Sequence, residues 1–244
     1  MIMDGHTLGY GAVTSGRHFR NPISFSKFIM EKADHCVFCG DGALKFAEKE
    51  EFPGICDPKE LITQNAINRG NVTYKDYPMY VQHHCSGTPV NETQIPETHD
   101  TVSAVAMDAE GHLACATSTG GIPGKLKGRI GDAPLIGCGG YANKEGGATT
   151  TGHGEALMKI TLAREVVYNM ENGQNAQESA EKAVKKLGDS IKGSGGVIAI
   201  DKNGKFGIDF NTKVMVWASI KDNTLEFGME KNERGENISE TEQL

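Results

Sequence analysis

Residues Thr98 to Gly121 read "THDTVSAVAMDAEGHLACATSTGG". Two runs inside this stretch, "TVSAVAMD" and "HLACATS", alternate with the period of two that a half-buried strand requires. The short "AEG" between them carries a glycine, so the pair predicts a hairpin. Thr101 stands at the head of its first strand, at the point where a long polar segment gives way to patterned sequence. Three more hydroxyls, Thr117, Ser118 and Thr119, end its second strand against a glycine pair.

Upstream, residues 57–99 are polar and broken by proline and glycine, without periodicity, and read as a linker. Before it come short elements: "GYGAVTSG" as strand, "NPISFSKFIMEK" as a helix with Pro22 in its first turn, "HCVFC" as strand and "GALKFAEKE" as a short helix. Downstream lies a glycine-rich stretch from Gly120 to Glu155, which contains neither a Walker pattern nor a dinucleotide fingerprint. Two helices follow, "EALMKITLAREVVYNMENG", closed by Gly173, and "NAQESAEKAVKKLGDS". Then come strands "GGVIAI", "KFGIDF" and "VMVWASI". Lys202-Asn203-Gly204 reads as a type I′ turn between the first two. The order predicts an antiparallel sheet with both helices on one face and a second sheet on the other, an α+β fold.

The chain has 244 residues and a net charge of −7, which argues against a nucleic-acid surface. No apolar run approaches the length of a membrane span. The acids Glu230, Glu233, Glu236, Glu240 and Glu242 read as a solvated C-terminal tail. Cys36 and Cys39 have C-x-x-C spacing, but a second tight pair is missing, so no metal is assigned and the pair reads as a strand with a half-buried thiol. No cofactor is expected, and the scattered cysteines suggest reduced thiols in the cytoplasm.

A threonine hydroxyl is a weak nucleophile until a base takes its proton. At a chain N-terminus it carries its own base, because a free α-amino group has a pKa of roughly 7.7–8.0. Breakage of the Asp100–Thr101 bond would give Thr101 that amine.

"HDTVSAVAMD", "TSTGG", "GRIGDAP" and "TTGHGE" occur in this order. Together they resemble the N-terminal-nucleophile hydrolases of the plant-type asparaginase and isoaspartyl peptidase family, from about the first residue to near Gly228. The resemblance implies a four-layer αββα sandwich forming a single domain over 1–244, with 1–100 as the α-subunit part and 101–244 as the β-subunit part. It implies autocleavage between Asp100 and Thr101, Thr101 as nucleophile, and hydrolysis of L-asparagine and β-aspartyl peptides. Thr119 would tune the nucleophile. Arg129 would grip the substrate α-carboxylate and Asp132 its α-ammonium. The Thr151 hydroxyl and the Gly152 N–H would form the oxyanion hole. Ile130, Gly131, His153 and Gly154 would complete the pocket, with His153 there for packing rather than as a base. The cleaved subunits would pair, and the pairs would dimerise.

Two features depart from the pattern. "HDT" resembles the aspartylglucosaminidase branch, whereas "TSTGG" and "TGHGE" side with the asparaginases. Family members also carry a segment ahead of the part matching "MIMDG". On that basis the sandwich is expected to be incomplete at the N-terminus, with the hairpin short of a sheet neighbour. The alternatives are then a shortened, catalytically silent relative or an aspartylglucosaminidase-like amidase.

Overall fold

The computed structural model describes residues 1–68, 72–86, 101–231, 233 and 235–238. Its strands and helices in chain order are β1 (Ile2–Asp4), β2 (Tyr10–Thr14), α1 (Pro22–Lys32), β3 (Val37–Cys39), α2 (Gly40–Lys49), α3 (Gln64–Asn68), α4 (Tyr77–Ser86), β4 (Val102–Met107), β5 (Leu113–Ser118), β6 (Gly140–Ala142), β7 (Gly146–Gly152), α5 (Gly154–Ile160), α6 (Leu162–Glu171), α7 (Ala176–Ile191), β8 (Gly195–Asp201), β9 (Phe206–Phe210), β10 (Val214–Lys221), β11 (Thr224–Glu230) and β12 (Gly235–Ile238).

The expected hairpin is β4–β5. Its antiparallel register runs from Val102 opposite Ser118 to Met107 opposite Leu113. The turn is held by Asp108, whose side chain accepts from the N–H groups of Glu110 and His112. Gly111 supplies the positive φ, +83°, that the turn needs. Leu113, Cys115 and Thr117 of β5 point inward and are buried, whereas Val102 of β4 is 75% exposed on the other face. β5 pairs on its second edge with β1, giving a five-stranded sheet in the order β3-β2-β1-β5-β4. The hairpin thus has a neighbour on its β5 side, supplied by the "MIMDG" segment. Among the described residues none pairs with the outer edge of β4.

A second sheet, β6-β7-β8-β9, is antiparallel throughout. Strand β7 has the sequence GGATTTG, poor in the bulky residues that favour strands. Small side chains are required there because its faces are crowded. A Cβ on Gly147 would approach Val105 of β4 to 2.7 Å, and one on Gly146 would approach the Met170 methyl of α6 to 2.2 Å. The same contacts show the two sheets facing each other through β4, β5 and β7, with α6 beneath.

Helices α6 and α7 pack on the free face of the second sheet. Helix α7 starts in a full capping box. Asn175 accepts from the Glu178 N–H at 2.9 Å, and the Glu178 carboxylate accepts from the Asn175 N–H at 3.3 Å. Ala176, Ala180, Ala183, Val184 and Leu187 then form one buried stripe against Val197 and Ala199 of β8. A fully buried leucine such as Leu187 contributes about 1.5–3 kcal/mol by leaving water. The predicted long helix before it is broken into α5 and α6 at Thr161, which adopts φ +48°. On the first sheet α1 lies against β2, and Phe19, Phe25, Ile29, Ala43 and Phe52 form a largely aromatic cluster linking α1 and α2.

Four further readings change. The segment read as a linker carries a 3₁₀ turn at Pro58–Leu61 and the helices α3 and α4. Asn203 does not take a positive φ, so its turn is not type I′. Asp201 instead accepts from the Asn203 and Lys205 N–H groups, and Gly204 alone sits at φ +70°. The acidic end is ordered further than expected, since Glu230 closes β11 and Glu236 lies in β12, paired with Glu226. Glu240 and Glu242 fall outside the described residues. Cys36 and Cys39 are both exposed rather than half-buried.

Candidate active site

The β4–β5 register places the nucleophile candidate. One step beyond the Val102–Ser118 pair, Thr101 comes opposite Thr119 on the inward face of the sheet. The Thr101 hydroxyl donates to the Thr119 hydroxyl oxygen across 3.3 Å. Thr119 is itself fixed by accepting from the Gly121 N–H at 3.0 Å. Thr119 can therefore orient the Thr101 hydroxyl without being a base. Asp100 lies outside the described residues.

Arg129, Ile130, Gly131 and Asp132 follow on the glycine-rich loop. Arg129 is not a vacant fork, because Glu155 fills one side of it. The guanidinium donates from Nε to Glu155 Oε1 at 2.9 Å and from Nη2 to Oε2 at 2.8 Å, a bidentate charge-assisted pair. Arginine has five N–H donors, so the Nη1 side and one Nη2 hydrogen remain for another carboxylate. Gly131 and Gly154 leave room there. A Cβ on the first would lie 2.7 Å from Nη1, and one on the second 2.8 Å from Nη2. Glu155 also accepts from the Tyr77 hydroxyl at 3.2 Å, and His153 Nε2 lies 3.1 Å from its Oε2. The arginine beside Glu155 holds its carboxyl down at about 2. Burial keeps the His153 imidazole below its usual range. His153 thus sets its Nε2 against the Glu155 carboxylate.

Asp132 is buried, 7% exposed, and takes a weak bond from the Thr150 hydroxyl at 3.3 Å. Burial raises its pKa to about 6. A Cβ on Gly154 would also be 3.0 Å from Asp132 Oδ1, so the carboxylate and the Arg129 guanidinium flank one small space. A cation and an anion beside one small space suit a free α-amino acid, which carries both charges. Thr151 and Gly152 end β7 opposite Gly196 and Gly195. Gly152 has φ +143°, and a Cβ there would lie 2.5 Å from the Gly195 Cα. Thus the turn from strand to α5 can be made only by glycine.

Thr119, Arg129, Ile130 and Gly131 also line one cavity of about 950 Å³, together with Val13 to Arg17. The structure therefore joins Thr101 to Thr119, and Arg129 to Asp132 and Gly154. The sequence motifs assign no role to Glu155 or Tyr77. Glu155, at the end of the next motif after that of Arg129, is brought to the guanidinium only by the fold.

The asparaginase family pattern matches residues 1–229. The chain belongs to this asparaginase family. The "Isoaspartyl peptidase/L-asparaginase" of Danio rerio is 40% identical over 231 residues, covering 94% of this chain and 70% of that protein. That of Homo sapiens is 37% identical over 233 residues, with 95% and 72% covered. The "Probable isoaspartyl peptidase/L-asparaginase" of Drosophila melanogaster is 35% identical over 243 residues, with 94% and 70% covered. In this asparaginase-family chain, no helix of the described residues is long and apolar enough to cross a membrane.

Proposed function

We propose that this asparaginase-family chain is a threonine amidohydrolase that cuts itself before Thr101 and then hydrolyses the side-chain amide of L-asparagine and β-aspartyl peptides. The observation that carries the reading is the 3.3 Å hydroxyl contact between Thr101 and Thr119 at the head of β4. The opposed charges of Arg129 and Asp132 support it, and so do the names of its relatives.

In the mechanism, the α-amino group of Thr101 accepts the proton of its own hydroxyl, and Oγ attacks the amide carbon. The Thr151 hydroxyl and the Gly152 N–H receive the oxyanion, where one such donor is typically worth about 10²–10³ in rate. The protonated amine gives its proton to the departing nitrogen, leaving a β-aspartyl ester on Thr101. Water, deprotonated by the same amine, then releases aspartate. Arg129 and Asp132 hold the α-carboxylate and α-ammonium throughout, with Ile130, Gly131, His153 and Gly154 around them.

The reading includes a four-layer αββα sandwich of the N-terminal-nucleophile type, supported by helices on the outer faces of two facing sheets. It also includes paired cleaved subunits that dimerise. A cytoplasmic location fits the free thiols of Cys36, Cys39, Cys56, Cys115 and Cys138.

Intact-mass measurement tests the reading. The expected product begins at Thr101 and hydrolyses L-asparagine. Thr101→Ser should retain some cleavage and activity because a hydroxyl remains. Processing and activity in Thr101→Ala would remove Thr101 from the mechanism.

A further inference from the structure

The Glu155 carboxylate is held at both oxygens. Oε1 accepts from Arg129 Nε at 2.9 Å and from the Tyr77 hydroxyl at 3.2 Å. Oε2 accepts from Arg129 Nη2 at 2.8 Å and lies 3.1 Å from His153 Nε2. A carboxylate has about four lone-pair sites, so these contacts fill it. Arg129 and His153 lie downstream of Thr101 in the chain, whereas Tyr77 lies upstream.

The surrounding structure fixes where Tyr77 stands. It opens α4, and the turn before it is closed by Thr73, whose N–H and hydroxyl both donate to Asp76 Oδ2, at 2.8 and 2.9 Å. Tyr80, 5% exposed, buries the middle of the helix. The glycine-rich loop that carries Arg129 runs against this turn. A Cβ on Gly124, which has φ +74°, would lie 2.6 Å from the Thr73 carbonyl oxygen and 3.2 Å from the Tyr77 nitrogen. Thus α4 is set against the loop by backbone and reaches the fork by a side chain. Burial, and then the Glu155 carboxylate beside it, raise the pKa of the half-buried Tyr77 hydroxyl, so it keeps its proton and stays a donor. Without that bond Oε1 would keep Arg129 alone, and a carboxylate less firmly held aims the guanidinium less well.

We propose that Tyr77 is a positioning residue for substrate recognition: it fixes Glu155, which aims Arg129, so a residue ahead of the cut completes the grip on the substrate α-carboxylate. The inference rests on the hydrolase reading and adds to it a contact between the two parts of the cut chain. No bond is made or broken through Tyr77.

The experiment compares steady-state kinetics on L-asparagine for wild type, Tyr77→Phe, Glu155→Gln and the double variant, after intact mass has established cleavage before Thr101 in each. Tyr77→Phe keeps the ring and removes only the hydroxyl. It should raise KM roughly fivefold with kcat within about twofold, the size of one partly exposed hydrogen bond to a charged group. The two effects should not multiply, so the double variant should lie close to Glu155→Gln alone. Tyr74→Phe, on the exposed ring stacked 5.8 Å from that of Tyr77, should change neither constant. An unchanged KM in Tyr77→Phe overturns the inference and spares the hydrolase reading. So does a fall in kcat at constant KM, which marks a structural role, and so does an equal rise in Tyr74→Phe. Effects on KM that multiply in the double variant also overturn it, because Tyr77 would then act apart from Glu155. A Tyr77→Phe chain that stays uncut places the residue in processing and overturns it too. A wild type that neither cuts itself nor hydrolyses L-asparagine removes the hydrolase reading, and the inference with it.

Discussion

Replacing Glu155 by glutamine removes the charge that aims Arg129 while keeping the side chain's length. Glutamine offers one carbonyl oxygen to the guanidinium and turns an amide N–H₂ toward the other donor, so one of the two bonds and the ionic attraction are lost. A hydrogen bond to a charged group is worth about 1.5–3 kcal/mol. The Glu155 side chain is 34% exposed, against 14% for Arg129, so solvent screening favours the lower end. About 1.5 kcal/mol corresponds to roughly tenfold in an equilibrium. Glu155→Gln should therefore raise KM for L-asparagine about tenfold with a smaller change in kcat, because an arginine in the proposed role would bind the substrate in the ground and transition states alike. Acid stability provides a second readout. The carboxyl is held at about 2, below the ordinary 4.5, so its stabilising contribution is complete above 4.5 and is lost as pH falls toward 2. The difference in Tm between wild type and Glu155→Gln should accordingly narrow below pH 4.5. Steady-state kinetics and thermal melts across pH decide the matter. An unchanged KM would show that the fork is not needed, and a lower KM would show that Glu155 competes with the substrate for Arg129.

In its proposed role Asp132 must be ionised to hold the substrate ammonium, so kcat/KM for L-asparagine should fall as pH drops through about 6. Its folded-state pKa lies above the ordinary 3.8, so ionising it opposes folding, and that cost appears as pH rises through the same range. Asp132→Asn should therefore melt higher than the wild type near pH 8, gain less near pH 4, and lose asparagine turnover. Arg129→Lys should weaken asparagine binding at least tenfold despite its retained charge, because an ammonium cannot hold Glu155 and a substrate carboxylate in two planar forks; equal KM values would refute this. Gly152→Ala forces φ +143° on a residue with a Cβ and drives that atom to 2.5 Å from Gly195. It should cost about 3 kcal/mol or more, read as a lowered denaturant midpoint, and an unchanged midpoint would mean that β7 and β8 can separate there.

The hairpin and α7 are legible in the sequence because their local chemistry agrees with their final environment. Alternating β4 and β5 put one row inward, and Asn175 with Glu178 marks a helix start that the capping box then makes. Strand β7 is not legible, since its glycines and threonines are chosen by what presses on them, namely Val105 and Met170 from other layers. Strands β11 and β12 are hidden by their acids, which suggest solvent rather than a sheet. The site shows the same division. The four motifs mark out Thr101, Thr119, Arg129 and Asp132, but the fork between Arg129 and Glu155 joins residues 26 apart in sequence and becomes visible only when the loop folds back on α5.

The ladder between β4 and β5 works as a ruler for the reactive end of the chain. Thr101 is held opposite Thr119 by pairs that all lie downstream of it, from Val102–Ser118 to Met107–Leu113. Severing the chain just upstream would remove none of those pairs, so the cut end would keep its address. Lengthening the Asp108–His112 turn would also leave the spacing intact. A single residue inserted within β5 would be different, since side chains alternate and every later one would change face. Thr119 would then point away from Thr101, with every residue of the active site still present in the sequence.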